Sequence, residues 1–107
     1  MRKYAIARKI EAFCKKYDLL TDTRIYFNKK CWDYSSSGNK TVLEDIVGSD
    51  YFDYANDDTI SMSFEGGLYR VMNYGSFDVR DAFQDMLAEY GYYDELGNAW
   101  NLALYEI

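Results

Sequence analysis

The chain has 107 residues, 12 Lys+Arg against 18 Asp+Glu, a formal net charge of −6, 49% hydrophobic residues, and neither His nor Pro. The lack of histidine excludes Ser-His-Asp and Cys-His catalysis and any His-ligated metal, and two cysteines cannot complete a four-Cys zinc site or a disulfide framework. A net-negative chain is a poor general binder of nucleic acid, so direct nucleic-acid binding is not expected.

The spacing predicts an amphipathic helix over residues 1–17. Ile6, Ile10, Phe13, Cys14 and Tyr17 fall on one face at about 100° per residue. Arg8 with Lys15, and Arg2 with Lys9 and Lys16, form basic rows on the same helix. Thr23 to Phe27 is β-branched and aromatic and reads as a strand. Asn28-Lys29-Lys30 is its expected turn, and Cys31 to Ser35 the returning strand. Ser35 to Asn39 has loop composition. Thr41 to Val47 is apolar without a period and fits a short strand or one helical turn. Gly48 to Asp58 reads as an ordered acidic-aromatic loop, because Tyr51, Phe52 and Tyr54 can anchor it to a core.

Thr59 to Glu65 alternates, with Ile60, Met62 and Phe64 on one side. Gly66-Gly67 is the expected two-residue hairpin loop and Leu68 to Tyr74 the returning strand. Gly75 ends that strand, and Ser76 is a good helix N-cap. A second helix is predicted from there to about Tyr90, burying Val79, Phe83, Met86, Leu87 and Tyr90, with Gly91 as its C′ residue. Tyr92 to Leu96 is a predicted strand, Gly97-Asn98 a hairpin loop, and Ala99 to Ile107 the last strand.

These elements predict one α+β domain over residues 1–107, in the order α-ββ-(β)-ββ-α-ββ. Its sheet is mostly antiparallel, of about six or seven short strands, because hairpins require antiparallel pairing. Two amphipathic helices are expected on one face of that sheet. No apolar run reaches the ~20 residues of a membrane span, so no membrane partner is expected. The basic opening lacks an uninterrupted apolar stretch, so no secretory signal is expected. Two cysteines without such a signal point to a reducing, cytoplasmic setting.

The charge is divided along the chain. Residues 1–40 hold ten of the twelve basic residues and four of the eighteen acidic ones. Either these halves pair within one domain, or the molecule presents an acidic face to a basic partner. Asp78, Asp81, Asp85 and Glu89 fall within about 80° of one another on the second helix. They read as a solvated stripe with a favourable dipole term, or as a phosphate-mimicking surface. The stripe spans about 16 Å, whereas one DNA strand carries a phosphate about every 3.4 Å. A phosphate mimic therefore needs Asp50, Asp53, Asp57 and Asp58 of the loop beside it. Tyr51, Phe52, Tyr54, Tyr92 and Tyr93 are the aromatic candidates for partial exposure and contact.

Other chemistries find little purchase. The loop lacks the EF-hand spacing for calcium, and Ser37 to Thr41 lacks the glycine pattern of a phosphate-binding loop. Cys14 and Cys31 read as small core residues. A carboxylate pair such as Glu65 with Glu44 or Asp33 is able to do acid–base work, but no spacing selects one. The sequence thus points to a non-enzymatic, cofactor-free binding module. Its acidic-aromatic face would occupy the basic, nucleic-acid-binding surface of a partner protein. The alternative is an accessory domain that homodimerises through edge-strand pairing of its final hairpin.

Overall fold

The computed structural model describes residues 2–75 and 77–107, so the expected N-cap at Ser76 and the first residue of the first helix lie outside the described residues. Helix α1 (Arg2–Lys16) buries Ile6, Ala7, Ile10 and Cys14, the face that the spacing predicts. It ends at Lys16, and in the turn that follows Asp18 takes a positive φ of 56°. The chain then folds back, with the Leu19 N–H donating to the Cys14 carbonyl at 2.7 Å.

Strands β1 (Thr23–Phe27) and β2 (Lys30–Tyr34) form a hairpin, and β3 (Lys40–Glu44) follows. The β1–β2 turn has φ of 51° at Asn28 and 58° at Lys29. Two positive values are what a tight turn of this twist requires. A short 3₁₀ turn at Gly48–Asp50 lies within the loop that leads to β4 (Ser61–Phe64). Helices α2 (Gly67–Tyr74) and α3 (Phe77–Glu89) precede β5 (Tyr92–Asn98) and β6 (Asn101–Glu106). The six strands form one antiparallel sheet in the order β3-β2-β1-β4-β6-β5.

Three expectations need correction. Gly66-Gly67 is not a hairpin loop, and Leu68 to Tyr74 is a helix rather than a strand. Leu68, Val71 and Met72 are its buried residues, at the i, i+3, i+4 spacing of a helical face. The glycines are there for close approach: a Cβ on Gly66 would lie 2.3 Å from the Thr21 carbonyl oxygen. One on Gly67 would lie 3.0 Å from Leu19 Cδ2. The last hairpin also turns later than expected, at Ala99-Trp100 instead of Gly97-Asn98.

All three helices cover one face of the sheet. There Ile25, Phe27, Trp32, Tyr34, Met62, Phe64, Leu102 and Leu104 meet Ile6, Ile10, Leu68, Phe83 and Leu87 in a single core. Each such aliphatic side chain contributes about 1.5–3 kcal/mol on burial. Phe13 of α1 contacts Phe83 of α3 edge to face at 5.4 Å. The opposite face carries a much smaller core of Tyr26, Cys31 and Phe52, with Leu43, Ile46 and Ala55 packed against it. No helix among the described residues is long and apolar enough to cross a membrane.

Candidate functional site

Register decides what the second face of the sheet presents. Leu43, Cys31, Tyr26, Ser61 and Ala103 lie side by side across neighbouring strands. One step along the strands on the same face lie Thr41, Asp33, Arg24, Ser63 and Asn101. The first row is mostly apolar and the second is polar. The 45–60 loop settles on the apolar row: Phe52 packs against Tyr26 at 5.6 Å and Trp100 at 5.8 Å. Asn56 Nδ2 donates to the Leu104 carbonyl at 3.0 Å, and the Thr59 hydroxyl donates to the same carbonyl.

The middle of the polar row, Asp33, Arg24 and Ser63, is left as the floor of a cavity of about 370 Å³. Asp33 and Ser63 flank Arg24 on the floor, Asp22 and Glu65 line the cavity from the adjoining turns, and Tyr51 and Trp100 form aromatic walls. Arg24 meets Asp33 through two contacts, Nε–Oδ1 at 3.3 Å and an Nη–Oδ2 hydrogen bond at 3.4 Å. Contact with the Tyr26 hydroxyl, opposed by partial burial and aided by the Asp33 charge, holds the guanidinium firmly in its charged form. Burial raises the Tyr26 phenol above its ordinary value. Three carboxylates and one guanidinium thus line the cavity, leaving negative charge in excess. Tyr51 is 50% exposed, with the Arg24 guanidinium 6.0 Å from the centre of its ring, and Trp100 is 37% exposed. Among the described residues no three carboxylates or thiols cluster closely enough to hold a metal ion.

The predicted acidic residues fall in separate places. Asp78, Asp81, Asp85 and Glu89 are all exposed on α3, as their spacing requires. They belong to the helical side of the sheet. Asp50 and Asp53 are exposed on the loop that covers the other side. Asp57 accepts hydrogen bonds from the Ser49 N–H and hydroxyl, which fixes the loop. Asp57 and Asp58 open onto a cleft of about 420 Å³ shared with Lys3 and Lys29. The sheet therefore lies between the α3 stripe and the loop carboxylates.

Among the aromatic candidates, Tyr51, Tyr54 and Tyr93 are exposed. Phe52 and Tyr92 are buried, at 6% and 5% exposure, and serve as packing residues. Tyr92 lies under the Arg2 guanidinium at 5.2 Å. Glu65 and Asp33 do share one cavity, whereas Glu44 is on the sheet edge, opposite Lys30. Sequence reasoning did not single out Arg24, Asp22 or Trp100. The only available signal was the alternation of Arg24 with Ile25 and Tyr26, which places the arginine and the tyrosine on one face. Comparison with protein-family models, curated proteins and solved structures finds no match to this chain.

Proposed function

We propose that the chain is a non-enzymatic binding module whose open-face cavity receives a basic side chain from the nucleic-acid-binding surface of a partner protein. One observation carries this reading: the cavity combines excess negative charge with two exposed aromatic walls. A guanidinium or ammonium group gains from both, through ion pairing and through contact with the ring faces. A cavity of about 370 Å³ also lies within the usual range of ligand sites. The loop's Asp50 and Asp53 add negative charge on the same side and would steer a basic surface toward it. Two buried free thiols fit a reducing, cytoplasmic setting.

Titration with an arginine-rich peptide, read by tryptophan fluorescence and calorimetry, tests the proposal. Glu65→Gln with Trp100→Ala should weaken binding about tenfold or more, since cation–π contact contributes roughly 0.5–2 kcal/mol. Raising salt from about 0.1 M to 1 M should also weaken it, as the Debye length falls from about 10 Å to 3 Å. Changing Asp81, Asp85 and Glu89 to Asn, Asn and Gln should leave affinity and melting temperature near wild type. The reverse pattern would assign binding to the α3 stripe, and insensitivity to both variants would overturn the proposal.

A further inference from the structure

We infer that the free edge of β3 is a self-association surface and that its occupant is the β3 strand of a second copy, paired antiparallel about Val42. The sheet has two edges, and they differ. Strand β5 carries Asp94 and Glu95 and is irregular between Leu96 and Asn98. Charges and bulges of this kind blunt an edge against further pairing. Strand β3 has regular pairing along its length, and Lys40, Thr41, Val42 and Glu44 are exposed.

Backbone parity fixes what this edge offers. The Ser35 N–H donates to the Asn39 carbonyl at 3.0 Å, and the Ile46 N–H to the Lys29 carbonyl at 3.2 Å. The first bond continues the β2–β3 register and places its odd-numbered residues in the hydrogen-bonded pairs, including Asp33 with Thr41 and Cys31 with Leu43, while the second is displaced by one residue at Asp45, which has a positive φ of 56°. The N–H and C=O groups of Lys40, Val42 and Glu44 therefore point out of the sheet. An antiparallel copy centred on Val42 sets Val42 against Val42, Lys40 against Glu44 and Glu44 against Lys40. All three pairs are of the hydrogen-bonded kind, with two N–H···O bonds each.

The side chains agree with that register. Lys40, Val42 and Glu44 share one face, and Val42 is 47% exposed beside the buried Trp32. In its own sheet Glu44 lies opposite Lys30. In the pair each Glu44 would lie between its own Lys30 and the Lys40 of the second copy, so no like charges face each other. Lys40 is already ordered, 2.8 Å from Glu11 and 3.6 Å from the centre of the Trp32 ring. Slipping the pairing by two residues sets Lys40 against Val42 and discards both charge pairs, so charge selects the register.

Sedimentation velocity over micromolar to millimolar protein should show a monomer–dimer equilibrium. Glu44→Lys sets Lys40 against a lysine at both ends and should weaken dimerisation about tenfold or more, since directly opposed like charges destabilise a strand pair. Lys40→Glu should do the same, and an equal mixture of the two variants should recover a dimer because unlike charges again face each other. Val42→Pro is tolerated at an edge whose N–H faces solvent and should give a folded monomer by circular dichroism. Val42→Cys should form an intermolecular disulfide on mild oxidation, because hydrogen-bonded pairs hold Cα atoms about 5.5 Å apart, within disulfide range. A wild type that stays monomeric throughout would overturn the inference. So would a dimer that survives both Glu44→Lys and Val42→Pro.

Discussion

Glu11 joins helix α1 to two strands through one carboxylate. It accepts hydrogen bonds from the Tyr34 hydroxyl and from Lys40 Nζ, the latter at 2.8 Å. Burial alone would push this carboxyl up, but the hydrogen bonds from Lys40 and Tyr34 and the nearby lysine charges outweigh it and hold it below its ordinary 4.5. A carboxyl held lower in the folded chain than in the unfolded one binds fewer protons when folded. Its stabilisation is therefore complete above about pH 4.5 and is lost as pH falls through the lowered folded value. Glu11→Gln should cost about 1–2 kcal/mol at neutral pH and less in acid, as measured by urea unfolding at about pH 7 and pH 3. An equal loss at both pH values would contradict this account. The cysteines behave differently. Desolvation pushes the Cys14 and Cys31 thiols up to about 12, so both stay protonated and unreactive while folded. Thiol titration should give little labelling before denaturant is added, and rapid stoichiometric labelling of the native chain would refute that. The burial of Cys14 was legible in the sequence because a helix repeats its face every few residues. The meeting of Asp22, Arg24, Asp33 and Glu65 was not, because strand register and turns far apart in the chain create it.

Among the elements, α2 is the instructive miss. Leu68-Tyr69-Arg70-Val71-Met72 satisfies both alternation, with Leu68, Arg70 and Met72 on one side, and helical spacing, with Leu68, Val71 and Met72 on one face. A glycine pair before it favoured the hairpin reading. Tertiary structure decides otherwise, because β4 has β1 on one side and β6 on the other, leaving no free edge for its own return strand. The glycines let the start of α2 pass against Thr21 and Leu19. Gly66→Ala should accordingly destabilise the chain by about 2–3 kcal/mol, as a forced backbone clash does. A glycine required only for a surface turn would cost less, so thermal unfolding of this variant separates the two accounts. The elements read correctly were those with a single pattern. Helices α1 and α3 have one apolar face each, β1 is β-branched and aromatic with a turn behind it, and β4 and β6 alternate, although the turns expected after β4 and before β6 are not where the structure turns. Helical placement on one side of the sheet also followed from those faces.

At the scale of the whole molecule, the uneven charge along the chain becomes an uneven charge on one side of it. Basic α1 and acidic α3 pack next to each other through Phe13 and Phe83. The salt bridges among the described residues join Arg24 to Asp33 and Lys40 to Glu11, so neither is formed between these two helices. The charge halves are neighbours that leave each other's outer faces free. The two sides of the sheet are unequal in another way. The helical side holds one continuous core, whereas the loop is held over the other side by a small one and a few hydrogen bonds. Segments with few apolar contacts open at lower free energy than the global transition. Native-state hydrogen exchange should show this as separate opening units. The amides of Tyr51 and Phe52, which bond to the Gly48 carbonyl, should exchange through a local opening that leaves Ile10 and Phe83 protected. Exchange of both groups with one common free energy would exclude such independence. Because Tyr51 is also a wall of the cavity, a cation seated there should slow exchange in the loop and leave the helices unchanged.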